Sequence, residues 1–194
     1  MMKNLSDKKT FVIALIFALL LTGWLFWLSW QRQITPSEII PTPASQAQAT
    51  LSLEPQEATL KVGQTFGVGI KVEIENGEAT GVEAILTYDP EFLEVLDGDK
   101  EETGIQTVEI GFFDEYLGNK VDNKEGRITV SGINMKGDRF SQGTIGTILF
   151  KAKKKGETEV NFVFAPGEKG ESDVAAPGGK DILRETIGST FIIK

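Results

Sequence analysis

The chain has 194 residues, 28 Asp and Glu against 20 Lys and Arg, and a formal charge of −8. Histidine and cysteine are both absent, which excludes a Ser-His-Asp triad, a thiol nucleophile, a disulfide framework and zinc sites built on these ligands. Chemistry resting on carboxylates alone, and oxygen-only sites for hard cations, remain open.

Residues 1–10 carry Lys3, Lys8 and Lys9 and precede an uncharged run from Phe11 to Trp30, "FVIALIFALLLTGWLFWLSW". As a helix this run is about 30 Å long, the thickness of a bilayer's hydrocarbon core. It predicts one transmembrane helix over 11–30, acting as a signal anchor. The lysines ahead of it place the N-terminus in the cytoplasm and the remainder outside the cell, at the cell membrane. Trp24, Trp27 and Trp30 gather at the exit end, where an interfacial aromatic anchor belongs. A cleaved signal peptide is the competing reading, but its apolar region is ordinarily about 7–15 residues long. The nearest Ala-x-Ala, Ala47–Gln48–Ala49, also lies far past the run.

Residues 31–50, rich in Pro, Thr, Ala and Gln, have no sustained period and include Pro36, Pro41 and Pro43, as a linker does. Such a segment reaches at most roughly 65–70 Å when fully extended. Leaving out Lys3, Lys8, Lys9, Arg32, Asp7 and Glu38 takes the formal charge of residues 51–194 to −10. That surface repels nucleic acid, so no nucleic-acid partner is expected.

From 51 to 194 the pattern is all β. In Phe66–Glu75 the apolar Phe66, Val68, Ile70, Val72 and Ile74 alternate with glycine and charge, so one face is buried and the other meets water. Val82, Ala84, Leu86 and Tyr88 repeat the pattern. Asp89–Pro90 then ends the strand, because proline donates nothing to a ladder and biases its predecessor toward a turn. The chain resumes as "FLEVL" (92–96). Segment 103–123 shows no clear strand register. "RITVSGI" (127–133), "GTILFKAK" (146–153), "TEVNFVF" (158–164) and "IGSTFIIK" (187–194) complete the strands, with a hairpin turn at 154–157. The expected fold is an antiparallel β-sandwich or jelly roll.

Other chemistries have thinner support. Asp97 and Asp99, in the acidic "DGDKEE" (97–102), are weak metal candidates because the longer order of an EF-hand loop is missing. A glycan site needs an aromatic platform. All three tryptophans lie before residue 31, leaving Phe112, Phe113 and Tyr116 in "GFFDEY" as the alternative polysaccharide-binding residues. No local spacing selects a catalytic carboxylate pair, so no enzyme activity and no cofactor are expected, and a structural or adhesion domain at the cell surface is the remaining alternative to a binding module.

With the pieces in order, residues 51–194 resemble a cohesin domain, within the carbohydrate-binding-module-like sandwich superfamily. The likeness runs through "VGQTFGVGIKVE" (62–73), "TGVEAILTYDPEFLEVLD" (80–97), "EGRITVSG" (125–132) and "GTIGTILFKAKKKGETEVNF" (143–162). It implies a jelly roll of about nine strands whose work is binding: a cohesin holds the calcium-loaded dockerin module of another protein, often a polysaccharide-degrading enzyme. Any Ca²⁺ then belongs to the dockerin partner. The resemblance places the contacts on the outward face of one sheet. By position these are Glu83 on the strand before Tyr-Asp-Pro, and Arg127, Thr129 and Ser131 on the strand at 127–133.

Overall fold

The computed structural model describes Leu20, Thr22, Trp24 and Trp27, all helical, together with residues 46–165 and 170–194. The expected cytoplasmic segment 1–10, most of the membrane run 11–30 and most of the linker lie outside the described residues. Among the described residues no helix is long and apolar enough to cross a membrane. The chain divides into units at 1–44 and 45–194, so the compact domain starts slightly before the expected boundary at 51.

The second unit is an all-β sandwich of twelve strands. In chain order they are β1 Gln48–Glu54, β2 Glu57–Leu60, β3 Thr65–Glu75, β4 Gly81–Tyr88, β5 Leu93–Leu96 and β6 Glu115–Asp122. There follow β7 Arg127–Ile133, β8 Gln142–Ala152, β9 Gly156–Phe162, β10 Asp173–Ala175, β11 Leu183–Ile187 and β12 Ser189–Ile193. One sheet runs β11-β1-β3-β8-β5; the other runs β2-β12-β9-β4-β7-β6, with β10 added beside β4.

Two features depart from the expected antiparallel fold of about nine strands. Segments 48–60 and 183–193 each visit both sheets, breaking at Pro55 and at Gly188, and each therefore contributes two short strands. Because both segments cross in the same direction, β1 pairs with β11 and β2 with β12 in parallel. Ser189 Oγ donates to the Pro55 carbonyl at 2.8 Å and ties the two crossings together.

Period-two burial explains the core. In β3, Val68, Ile70 and Val72 are fully buried, and Phe150 and Phe191 are the largest fully buried side chains. Burying each such ring stabilises the fold by about 1.5–3 kcal/mol. Phe66 lies 5.7 Å from Phe150 and 5.0 Å from Phe191, while Tyr88 meets Phe150 edge-on at 5.4 Å. Rings from both sheets thus lock together.

Tyr-Asp-Pro forms the expected corner. Asp89 Oδ1 accepts from the Glu91 amide at 2.8 Å, and the Asp89 carbonyl accepts from Phe92 and Leu93. Gly126, at φ +65°, packs under this corner and passes its carbonyl to the Tyr88 amide at 2.9 Å. A β-carbon there would fall 2.0 Å from the Tyr88 carbonyl oxygen, so only glycine fits.

One join lies along the edge of β4. Strand β4 is paired on one edge by β10 over Gly81–Glu83 and by β9 over Leu86–Tyr88, which leaves a gap at Ile85. The buried Ser172 hydroxyl fills part of it, accepting from the Ile85 amide at 2.9 Å and donating to the Ile85 carbonyl at 3.1 Å. Ser172→Ala should cost about 1–3 kcal/mol in a denaturant titration, since a buried amide loses its acceptor. A change below about 0.5 kcal/mol would show that the gap is closed by other means.

Candidate functional site: the outward face of the seven-stranded sheet

Along β4 and β7 every second residue points inward: Val82, Ala84 and Leu86, and Ile128 and Val130, are buried. The intervening residues form the opposite face, and the register arranges them in rows. Glu83 pairs with Ser131, Ile85 with Thr129 and Thr87 with Arg127. Strand β6 extends the rows with Gly118, Lys120 and Asp122, and β10 adds Asp173 beside Glu83. All four residues expected at a contact face, Glu83, Arg127, Thr129 and Ser131, therefore share one face, and all are half-buried. Ile85 also belongs to this face by register, yet it is only 4 % exposed.

The face is polarised. Glu83 stands directly opposite Asp173, a like-charge pair, with Glu171 and Asp181 contributing further negative charge. Burial first, and then Glu83, Asp181 and Glu171, push the Asp173 carboxyl above the ordinary aspartate range. Lys120 supplies positive charge one row and two strands away, and Arg127 two rows and one strand away. Asp122 stands opposite Arg127, held below the usual carboxylate range by the Glu125 and Lys124 amides. Neither Glu83, Lys120 nor Arg127 enters an ion pair among the described residues.

Asp173 makes the stability of the domain depend on pH. A carboxyl whose folded pKa is raised binds protons more tightly in the native than in the unfolded state, so it weakens stability as pH rises out of the acid range. Asp173→Asn should therefore make the domain more stable at neutral pH and flatten its stability profile just above the ordinary aspartate pKa. Thermal melts between pH 4 and 7 check this; an unchanged profile would mean that the like charges are fully screened.

The alternative aromatic residues lie elsewhere and are packed. Phe113 is 6 % exposed and Phe112 is half-buried. Phe112 meets Phe140 at 4.9 Å, and Phe113 meets Tyr116 at 5.3 Å, both edge-on. The rings lie on backbone: a β-carbon on Gly132 would enter the Phe113 ring, and one on Gly143 the Phe112 ring. Tyr116 Oη donates to the Ile145 carbonyl at 3.0 Å. Phe113 belongs to the hydrophobic core, Phe112 and Tyr116 pack against it, and the three offer no open aromatic platform.

The metal candidates hold their own loop. Asp97 Oδ1 accepts from the Asp99 and Gln106 amides at 3.1 and 3.3 Å, and Asp99 Oδ1 accepts from the Glu101 amide at 2.9 Å. Among the described residues no three carboxylates converge to hold a metal ion.

Sequence reasoning missed two features of these strands. Asp173 sits on a strand of three residues, too short for any periodic signal. Leu117 is the extra residue of a bulge in β6, where Tyr116 opposes Gly132 and Gly118 opposes Ser131, and it is 63 % exposed.

The comparisons agree with this architecture. A type II cohesin domain from the cellulosome of Acetivibrio cellulolyticus is 16 % identical, with a TM-score of 0.56 over 75 % of this chain and 95 % of that one. A chain from a type II cohesin–X-dockerin complex of the same organism is 16 % identical, with a TM-score of 0.55 over 74 % and 98 %. CaCohA2 from Clostridium acetobutylicum is 14 % identical, with a TM-score of 0.51 over 76 % and 91 %. At such identities the likeness speaks for the fold alone. No curated protein matches the sequence. The family model of the cohesin domain matches residues 49–176, which include β4, β6, β7 and β10 and so the whole of the face just described. The chain belongs to the cohesin domain family.

Proposed function

We propose that this protein is a non-catalytic binding module that holds a calcium-loaded dockerin-type module of another protein, displayed outside the cell on a single membrane anchor. The observation that carries the reading is the shared face of Glu83, Arg127, Thr129 and Ser131, in register across adjacent strands. A sheet ladder pre-orders such side chains, so docking sacrifices little conformational entropy. The packed state of Phe112, Phe113 and Tyr116 weighs against direct polysaccharide binding. The uncharged run 11–30, with Leu20, Trp24 and Trp27 exposed, supports the anchor.

The test uses the full chain, immobilised from detergent, against calcium-loaded dockerin modules encoded in the same genome. Binding is expected for at least one of them, and Glu83→Lys should weaken it about tenfold or more, with Glu83→Gln in between. Retention on a polysaccharide gel that survives Glu83→Lys, with no dockerin bound, would overturn the reading in favour of a glycan. For the anchor, external protease should release the domain by cutting within 31–47; a secreted domain already starting near Thr50 would contradict it.

A further inference from the structure

Six asparagines occur in the chain, and Asn76 alone is followed by glycine; the others precede Leu5, Lys120, Lys124, Met135 and Phe162. Asn76 and Gly77 form a bend in the connection from β3 to β4, and the Asn76 side chain is exposed. The connection is anchored on either side of the bend. The Ile74 amide donates to the Ser141 carbonyl at 2.7 Å, and Ala79 exchanges two backbone hydrogen bonds with Phe140 at 2.8 and 3.1 Å.

Each residue of the pair has its own structural reason. Asn76 has φ +55°, in the left-handed region that asparagine tolerates better than most residues with a side chain. Gly77 lies against the residue that precedes β1: a β-carbon on it would fall 2.4 Å from the Ala47 β-carbon. Only glycine allows that approach. The fold therefore places side by side the two residue types whose neighbouring groups react with each other. No β-carbon on Gly77 shields its backbone nitrogen, which is bonded through one peptide unit to the residue carrying the carboxamide.

We propose that Asn76 is a site of spontaneous deamidation, with water as the co-reactant, and that its isoaspartate product loosens the start of β1. The Gly77 backbone nitrogen attacks Asn76 Cγ and forms a cyclic imide. The bond made is N–Cγ, the bond broken is Cγ–Nδ2, and the Gly77 amide proton leaves with the side-chain nitrogen as ammonia. Water then opens either carbonyl of the imide, giving aspartate or isoaspartate. Aspartate keeps the course of the bend, whereas isoaspartate routes the backbone through the side chain and lengthens it by a methylene. That extra length displaces Gly77 from Ala47. It also acts on the first rung of the β1–β3 ladder, because Glu75 pairs with Gln48, the first residue of β1. In either product the new carboxylate stands in sequence between Glu75 and Glu78, and this like charge adds to the loosening. The site is independent of what the outward face of the other sheet binds.

The test holds the full chain in detergent at mildly alkaline pH for several weeks. Peptide mass spectrometry follows amide-to-acid conversion, and an isoaspartyl methyltransferase reports the isomer. Conversion at Asn76 should run about tenfold faster than at any other asparagine. Hydrogen exchange at the amides of residues 48–50 should quicken about tenfold in the isoaspartate fraction. Asn76→Gly keeps a residue suited to positive φ and removes the carboxamide, so the aged variant should hold the exchange rates of the fresh parent. Conversion at Asn76 no faster than elsewhere would overturn the proposal, as would an isoaspartate fraction whose exchange at 48–50 matches that of Asn76→Gly.

Discussion

Asn123→Ala should lower the unfolding free energy of the domain by about 2–4 kcal/mol, a large loss for one side chain next to a turn. Strand β5 is an edge of the five-stranded sheet, and its outer side has no neighbouring strand. The Asn123 amide, just past the end of β6, stands in for one. Its Oδ1 accepts from the Val95 amide at 2.9 Å, and its Nδ2 donates to the Val95 carbonyl at 2.9 Å. The same Oδ1 accepts from Tyr88 Oη. Alanine removes three hydrogen bonds and leaves both backbone groups of a nearly fully buried Val95 without a partner. Asn123→Asp keeps the acceptors but sets a carboxylate against the Val95 carbonyl, so it should also destabilise. Urea titrations followed by circular dichroism give the values; a loss below about 0.5 kcal/mol for alanine would show that the amide is not a structural bridge.

Tyr88 carries the same bridge into alkali. Burial, and then the Asp122 and Glu94 charges, push its phenol up to about 12 from an ordinary 10. The folded pKa lies above the unfolded one, so the phenol's contribution is complete below pH 10 and lost as pH rises through about 12. Tyr88→Phe should lose the hydrogen bond at neutral pH, yet show a shallower decline of stability above pH 10.

Thr129→Arg should reduce partner binding about a hundredfold while leaving stability within about 1 kcal/mol. Thr129 stands at the middle of the proposed contact face, between Ile85 and Lys120 in its row, and its neighbours in sequence, Ile128 and Val130, point into the core. A long cation there adds bulk where a partner must lie flat and places like charge beside Lys120. Val130→Ala, one residue away but inward, is the contrast: it should cost stability through a cavity while the affinity of the folded fraction is unchanged. Equal affinity for the parent and Thr129→Arg would remove this face from the account.

The contrast between residues 129 and 130 also shows what was legible in the sequence. Where a strand has one wet and one dry face, period two gives both its position and its orientation; β3, β4 and β7 were readable for that reason, and with them the placing of Glu83, Arg127, Thr129 and Ser131 on one face. Strand β6 was not. It is an edge strand with both faces partly wet, and the bulge at Leu117 shifts its alternation midway. Leu117, exposed at the same bulge, was hidden with the strand.

Long-range pairing was equally hidden. The parallel partners β1 and β11 are more than a hundred residues apart in sequence, and neither segment states which strand it will meet. The apolar run 187–194 read as one strand because periodicity does not reveal that the chain changes sheets at Gly188. Period two and register both make Ile85 an outward position, but Val163 and Ser172, each bonded to its backbone, accompany its burial. The aromatic trio shows the reverse case: composition offered a platform, and only the packing of rings onto Gly132 and Gly143 reveals a core.

The central claim is that one sheet face, and not the other, meets the partner. A photo-cross-linking side chain placed at Thr129, on the outward face of the seven-stranded sheet, tests it directly. The control is the same side chain at Lys71, which lies between the buried Ile70 and Val72 and so faces outward from the five-stranded sheet. With a bound dockerin module present, the account predicts efficient capture from position 129 and none from position 71. Capture from position 71 with none from 129 would contradict it.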